Sequence, residues 1–336
     1  MKVAIVGLGS VGRRHLRNLA ALGHTDIVLV RSGRSTLPDS ELGNWEVAAD
    51  LDAALRSKPG AAVIATPTAL HLDAAIPLAR AGCHLLIEKP VSHTMAGVED
   101  LRDAARKSGA RVVTAFQYRH HPGLLAVRRW LQEGAIGRPV SARACYADYL
   151  PDWHPWEDYR QSYAAREELG GGAVLTLCHP LDYLAWLLGP VTYVTGVVSS
   201  NGGLGIDVED SADGVLEFGS GAVASVHMDF VQRPPSHHLT IVGTEGTLAW
   251  DQSDGAARLY RVSTGRWDVM PAPAGFDRND MFLSEMQHFL SLADGTVSEP
   301  SSLDEGVHAL AIALALRESA RSGRRVEVAA MAGKSS

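Results

Sequence analysis

Residues 2–30, KVAIVGLGSVGRRHLRNLAALGHTDIVLV, place an apolar run, a glycine-punctuated turn and a helical pattern in the order a dinucleotide site requires. Lys2 to Val6 reads as a buried parallel strand, after which Gly7, Gly9 and Gly12 supply the G-x-G-x-x-G spacing. Gly7 permits the tight turn, Gly9 leaves room for a pyrophosphate against the backbone, and Gly12 lets the next helix close on the sheet. That helix, Val11 to Leu22, turns its unpaired N-terminal amides toward phosphate, with Ser10 and Val11 at the contact. A second apolar strand at Ile27 to Val30 completes the unit.

The loop that follows refines the ligand. An NAD site places Asp or Glu about twenty residues past the glycines, on the ribose hydroxyls. This chain reads Arg31-Ser32-Gly33-Arg34-Ser35 instead, and Asp26 comes too early. Arginine presents a planar fork of donors to phosphate oxygens, so Arg31, Ser32 and Arg34 favour NADP over NAD.

The chain has 336 residues, 46% hydrophobic and 21% charged, enough for two domains with separate cores. Its formal charge of -7 and scattered basic residues argue against a nucleic-acid partner. The cysteines Cys83, Cys145 and Cys178 lie too far apart in sequence for a metal or disulfide framework, so no metal is expected. The chain enters a strand at once, and no apolar run approaches the ~20 residues of a membrane span, which predicts a cytoplasmic protein.

Strand and helix alternate through the first half. Strands are expected at 45–48, 61–65, 85–87 and 111–116, and helices at 51–57, 69–81 and 95–108. This rhythm predicts right-handed crossovers and a mostly parallel sheet, with ligands beyond the carboxyl ends of its strands. Thr66-Pro67, Glu88-Lys89-Pro90 and Gln117-Tyr118-Arg119 each follow a strand and fall on one predicted edge. Lys89 stands out as a charge between an apolar strand and a proline, with an X-Pro bond that tolerates the cis form.

From Val140 the rhythm changes to Tyr- and Trp-rich loops, one long helix and several strands, expected at 143–149, 191–199, 211–218, 223–229, 239–242 and 247–250. Pro/Gly breaks between them predict an α+β domain with a mainly antiparallel sheet that needs a cover, either helices or another subunit. Closing helices are expected at 280–292 and 304–319, the latter capped by Asp304. His288 and His308 read as structural.

The central segment YLPDWHPWEDYRQSYAAREELGGGAVLTLCHPLDYLAWLLG, residues 149–189, carries the richest chemistry. Val174, Leu177, Leu181, Leu184 and Leu188 mark one helix. His179 and Asp182, three apart, can share its face, where a carboxylate would fix the imidazole tautomer. A structural hydrogen bond and a metal pair are the rival readings, the second lacking a third ligand. Trp153, His154, Tyr159 and Arg160 could define a sugar pocket, and Arg119 or Arg160 could meet a phosphate or carboxylate.

These pieces in this order resemble the Gfo/Idh/MocA oxidoreductases, the glucose-fructose oxidoreductase and inositol dehydrogenase family, over nearly the whole chain. The matching pieces are GLGSVG from Gly7, ATPTALH from Ala65 to His71, EKP from Glu88, YRHHP from Tyr118, GGGAVLTLCHPLD from Gly170 and IVGTEGTLAW from Ile241. The resemblance implies a Rossmann fold over 1–119, a substrate-binding and oligomerisation domain over 120–330 with an open sheet, and NADP or NAD between them. It implies that Thr66, Pro67, His71, Glu88 and Lys89 lie against the cofactor. Gln117, Arg119, Thr176 and His179 then face the substrate. Lys89 contacts the substrate hydroxyl and His179 transfers its proton. Thr176 stands where the family commonly has aspartate, and the interval from there to the histidine is one residue shorter, so the usual Asp/His arrangement is incomplete.

The implied reaction interconverts a secondary alcohol and ketone on a sugar, nucleotide-sugar or cyclitol, in a homodimer or homotetramer formed through the C-terminal sheet. Two alternatives remain open at this level: a glycosidase that recycles its nicotinamide, and a non-catalytic sugar or dinucleotide sensor.

Overall fold

The computed structural model describes residues 1–31, 42–297 and 302–332. Strands β1 (Val3–Val6), β2 (Ile27–Val30), β3 (Glu46–Ala48), β4 (Ala61–Ile64), β5 (His84–Glu88) and β6 (Val112–Ala115) form a six-stranded sheet in the order β3-β2-β1-β4-β5-β6. Every pairing is parallel. Helices α1 (Ser10–Ala21), α2 (Leu51–Arg56), α3 (His71–Arg80) and α4 (Val98–Ser108) lie between its strands in the chain. With helices on both faces, strands such as β1 and β4 bury every residue, which is why they read as unbroken apolar runs. The strand order reverses between β1 and β4, and the crevice beyond that point is where such sheets take ligands.

Helix α5 (Pro122–Gln132) links the sheets and has no counterpart among the sequence-based expectations. Its apolar Leu124, Val127 and Trp130 are buried, and His121 Nδ1 accepts from the Gly123 amide at 3.0 Å to cap it.

The second sheet contains β7 (Pro139–Tyr149), α6 (Ala173–Thr176) and α7 (His179–Leu188) follow in the chain, and then come β8 (Val191–Ser199), β9 (Ser211–Phe218), β10 (Val223–Asp229), β11 (Val231–Gly243), β12 (Gly246–Asp251), β13 (Ala257–Arg261) and β14 (Arg266–Met270). The chain closes with α8 (Arg278–Ala293), α9 (Leu303–Ser322), β15 (Val326–Glu327) and α10 (Ala329–Ala332). The nine strands run β14-β13-β12-β11-β7-β10-β9-β8-β15, antiparallel except for β7 beside β10.

Several local expectations are corrected. The helix read from Val174 to Leu188 is two helices, because Pro180 lacks an amide proton and fits only in a first turn, so the chain restarts at His179. Ser302, not Asp304, caps α9, in a capping box with Glu305. Strand β11 is longer than its apolar pattern, with a register shift between Val231 and Ser236 that accommodates Pro234 and Pro235. Strand β14 is mostly exposed and lacks the alternation that would reveal it.

Candidate active site

A cleft of about 1700 Å³ runs along the carboxyl ends of the first sheet and under the loops of the second. Its floor begins at Gly7, Gly9, Ser10 and Val11. A Cβ on Gly7 would stand 2.5 Å from the Ala65 carbonyl oxygen, and one on Gly12 would stand 2.0 Å from that of Gly7. A Cβ on Gly9 would meet no protein atom within 4 Å. The turn is thus packed against the protein at two glycines and open at the third, where a pyrophosphate needs to approach the backbone, so these residues fit a dinucleotide. Gly12 serves this cradle through packing and does not line the cleft. Arg31, at the end of β2, forms part of the wall. Ser32 and Arg34 lie outside the described residues.

Thr66 and Pro67 after β4, Glu88 at the end of β5 with Lys89 after it, and Gln117 after β6 line the same cleft. His71 joins two of these loops, its Nδ1 lying 3.0 Å from the Pro90 carbonyl oxygen and its Nε2 2.9 Å from that of Thr66. Burial pushes its pKa down, so the ring is neutral and has a single N–H for the two carbonyls. The His71 ring nitrogens are therefore committed to backbone and do not present a free polar edge to a cofactor.

Glu88 is buried, and His15 Nε2 meets its Oε1 at 2.6 Å. Burial opposes the carboxylate charge, but the His15 hydrogen bond and the charge of Lys89 hold its pKa below the usual range. The Lys89-Pro90 bond is cis. Lys89 Nζ donates to the Thr176 carbonyl oxygen at 2.5 Å. Burial pulls the Lys89 pKa down, while Tyr163, Cys178, Tyr146 and Glu88 pull it up and prevail. Cys178 is pushed up to about 12 and Tyr163 is also raised, both by burial, so at neutral pH these two are uncharged while Glu88 carries negative charge.

His179, 2% exposed, lies at the start of α7. The Gln117 amide nitrogen lies 3.2 Å from its Nε2, and its Nδ1 has no hydrogen-bond partner among the described residues. Tyr118 packs edge-on at 4.8 Å between ring centroids. Burial first, then Lys89, His237 and Arg278, push its pKa well below 6.5, which keeps the imidazole neutral near pH 7. The Thr176 hydroxyl is also buried and without a partner among the described residues.

The loop before these helices is packed by three glycines. A Cβ on Gly171 would stand 2.4 Å from the Tyr163 carbonyl oxygen, and Arg317 Nη2 donates to the Gly171 carbonyl at 2.7 Å. This holds the segment leading into Thr176 and His179 against α9.

Two sequence-based assignments fail on geometry. Asp182 does not orient His179: its carboxylate accepts from Arg119 Nε at 3.0 Å and Nη2 at 2.7 Å. Arg119 also reaches Glu305 at 2.9 Å and does not line the cleft, so its guanidinium is buried and paired within the protein. Arg160 is exposed outside the cleft, beside Asp158 and over the ring of Tyr159. Trp153, His154 and Tyr159 do line the cleft. The Trp153 indole N–H and His154 Nδ1 have no partner among the described residues, whereas the Tyr159 hydroxyl donates to the Leu204 carbonyl at 2.8 Å.

Tyr146, Tyr163 and Arg278 line the cleft and were not singled out from sequence. Tyr146 occupies an ordinary strand position, and Arg278 begins a helix whose only local signal is the Asp277 cap. Among the described residues no group of His, Cys, Asp and Glu could hold a metal ion, and no helix is long and apolar enough to cross a membrane.

A parallel sheet with this glycine turn, opening on a cleft that holds a lysine and a neutral histidine, defines a nicotinamide-dependent oxidoreductase. The chain belongs to the GFO/IDH/MocA family: residues 1–116 match the oxidoreductase family's NAD-binding Rossmann fold and 124–249 its C-terminal domain. It is 30% identical over 300 residues to the dTDP-3,4-didehydro-2,6-dideoxy-alpha-D-glucose 3-reductase of Streptomyces violaceoruber, covering 79% of this chain and 86% of that one. It is 29% identical over 275 residues to the 1,5-anhydro-D-fructose reductase of Ensifer adhaerens, covering 80% and 79%. Among solved structures, levoglucosan dehydrogenase in complex with NADH and levoglucosan superimposes with a TM-score of 0.86 at 22% identity, covering 98% of this chain and 99% of that one.

Proposed function

We propose that the cleft interconverts a secondary alcohol and ketone on a sugar, nucleotide-sugar or cyclitol, with Lys89 and His179 acting on the substrate oxygen. The observation that carries this reading is their convergence: Lys89 Nζ is anchored on the Thr176 carbonyl, three residues before His179, and both side chains line one cleft with the glycine turn. The named activities of the relatives, all on sugars or sugar derivatives, support the substrate class.

When bound, the nicotinamide supplies the acceptor or donor of the carbon-bound hydride. Lys89 donates a hydrogen bond to the substrate oxygen and stabilises its developing negative charge. His179 enters alcohol oxidation neutral, in the form able to accept a proton. The Gln117 amide marks where the Nε2 lone pair points; the substrate hydroxyl takes the amide's place there and passes its proton to Nε2, with the ring's own proton on Nδ1. Thr176, Trp153 and His154 provide polar atoms for further substrate hydroxyls. Residues 1–119 hold the cofactor and lend Lys89 and Gln117 to the reaction centre, and residues 120–330 supply the rest of the substrate pocket.

Arg31 favours NADP through the extra phosphate. Assembly into a homodimer or homotetramer uses the open face of the second sheet, where Val197, Val215, Val223 and Trp267 share one side and are exposed.

The test is nicotinamide reduction by the purified protein with NADP or NAD and a panel of sugars and cyclitols, run also in reverse with ketoses. Turnover with NADP exceeding that with NAD, and a loss of that preference in Arg31→Ala, is expected. Folded protein inactive with both cofactors in both directions would refute the assignment.

A further inference from the structure

Arg278 stands in the wall of the cleft with Lys89 and His179, yet its side chain remains open to solvent. Other arginines around the site have acidic partners: Arg119 is held inside the protein by Asp182 and Glu305, Arg317 is paired with Glu209, and the exposed Arg166 with Glu168. Arg278 forms no hydrogen bond or ion pair among the described residues. Asp148 lines the same cleft but lies beyond ion-pair distance of it, and its Oδ1 accepts the Tyr149 amide at 2.8 Å. Arg14, a like charge in the same wall, lies over the Phe282 ring at 4.5 Å and adds to the positive field.

We propose that Arg278 anchors an anionic group of the substrate, a carboxylate or phosphate, and so makes this site selective for acidic sugars over neutral ones. The inference rests on the sugar-redox reading above and narrows its substrate class. A guanidinium presents parallel N–H donors that match two oxygens of a carboxylate or phosphate. Asp148 and Asp277 act on Arg278 through space, but neither is within hydrogen-bond or ion-pair distance, so its fork is available to a ligand.

Arg278 lines the cleft together with Tyr146 and His179, at the proposed reaction centre, and its charge also acts on Arg14 in the helix after the glycine turn, so the anchor is tested with the cofactor's own phosphates already in place. It therefore takes the role that the sequence suggested for Arg119 or Arg160, from an element more than a hundred residues further along the chain.

Binding to the protein saturated with NADH tests this by calorimetry, with D-glucuronate, D-galacturonate and D-glucose 1-phosphate each compared with its neutral parent sugar. At least one anionic ligand should bind about 10- to 100-fold more tightly than its parent, as expected for a charge-assisted contact. Arg278→Met should abolish that difference and Arg278→Lys should retain part of it, with NADH affinity and melting temperature unchanged. The ligand that responds distinguishes carboxylate from phosphate. Equal binding of every acidic and neutral pair overturns the proposal, as does a loss in Arg278→Met that falls equally on neutral sugars or on NADH. The readout is binding without turnover: tight, Arg278-dependent anion binding in a protein that never reduces nicotinamide would overturn the redox reading and leave the anchor standing.

Discussion

The ammonium of Lys89 donates to the carbonyl oxygen of Thr176 and not to its hydroxyl, so the tie is to backbone and survives a change of that side chain. Thr176→Ala should therefore lower the single-turnover rate of hydride transfer by less than about 10-fold. Lys89→Met removes the charge on the substrate oxygen and should cost about 10²-fold or more. Similar losses in the two variants would place the chemistry on the threonine hydroxyl instead.

His179→Ala should slow hydride transfer by about 10²-fold or more while leaving NADH affinity unchanged, as removal of a positioned acid/base does. In alcohol oxidation the neutral ring is the active form, so the rate should fall as pH drops through a pKa below 6.5. Because burial and then Lys89 depress that pKa, Lys89→Met should move the acid limb to higher pH. A pH–rate profile of single turnovers reads both effects, and an unmoved limb would separate the two residues.

Arg119 and Asp182 form a forked pair with side chains 5% and 2% exposed. Removing Arg119 strands the buried Asp182 carboxylate, so Arg119→Leu should destabilise the fold by about 3–5 kcal/mol, and Arg119→Leu with Asp182→Leu by less than that; Asp182→Leu alone leaves Arg119 its pair with Glu305. Urea unfolding measures it. A change confined to substrate KM, with stability intact, would return Arg119 to a substrate role.

The glycines of the turn should separate binding from folding. Gly9→Ala meets no protein atom and should lower nicotinamide affinity with little change in melting temperature. Gly12→Ala drives a methyl into the Gly7 carbonyl and should lower the melting temperature itself. Fluorescence titration with NADH alongside thermal unfolding distinguishes the two.

On the second sheet His227 lies between Asp229 and Asp213, each at 2.8 Å, and these hydrogen bonds raise its pKa from 6.5 to about 9. A histidine whose pKa is raised on folding contributes fully below its unfolded pKa and loses that contribution as pH rises through its folded one. Stability should fall from about pH 6.5 to about pH 9 more steeply in the parent protein than in His227→Gln. Equal slopes by urea unfolding would show that the clamp is not coupled to folding.

The residues whose place in the fold was legible in the sequence are those set by local geometry. Gly7, Gly9 and Gly12 announce the cradle because turn, phosphate approach and helix packing all act within six residues. The parallel strands announce themselves by burying both faces. The place of Lys89 in the cleft wall was legible because it follows an apolar strand directly and precedes a proline. What the sequence could not decide is which partners those residues acquire in space. Asp182 sits one helical turn from His179, but a guanidinium from the loop after β6 offers a charged fork, and a buried carboxylate needs that cation more than a neutral ring does. Arg119 was thereby taken from the substrate and Arg278 brought into the cleft by the packing of α8, a choice made by contacts between residues far apart in the chain, for which local spacing carries no signal.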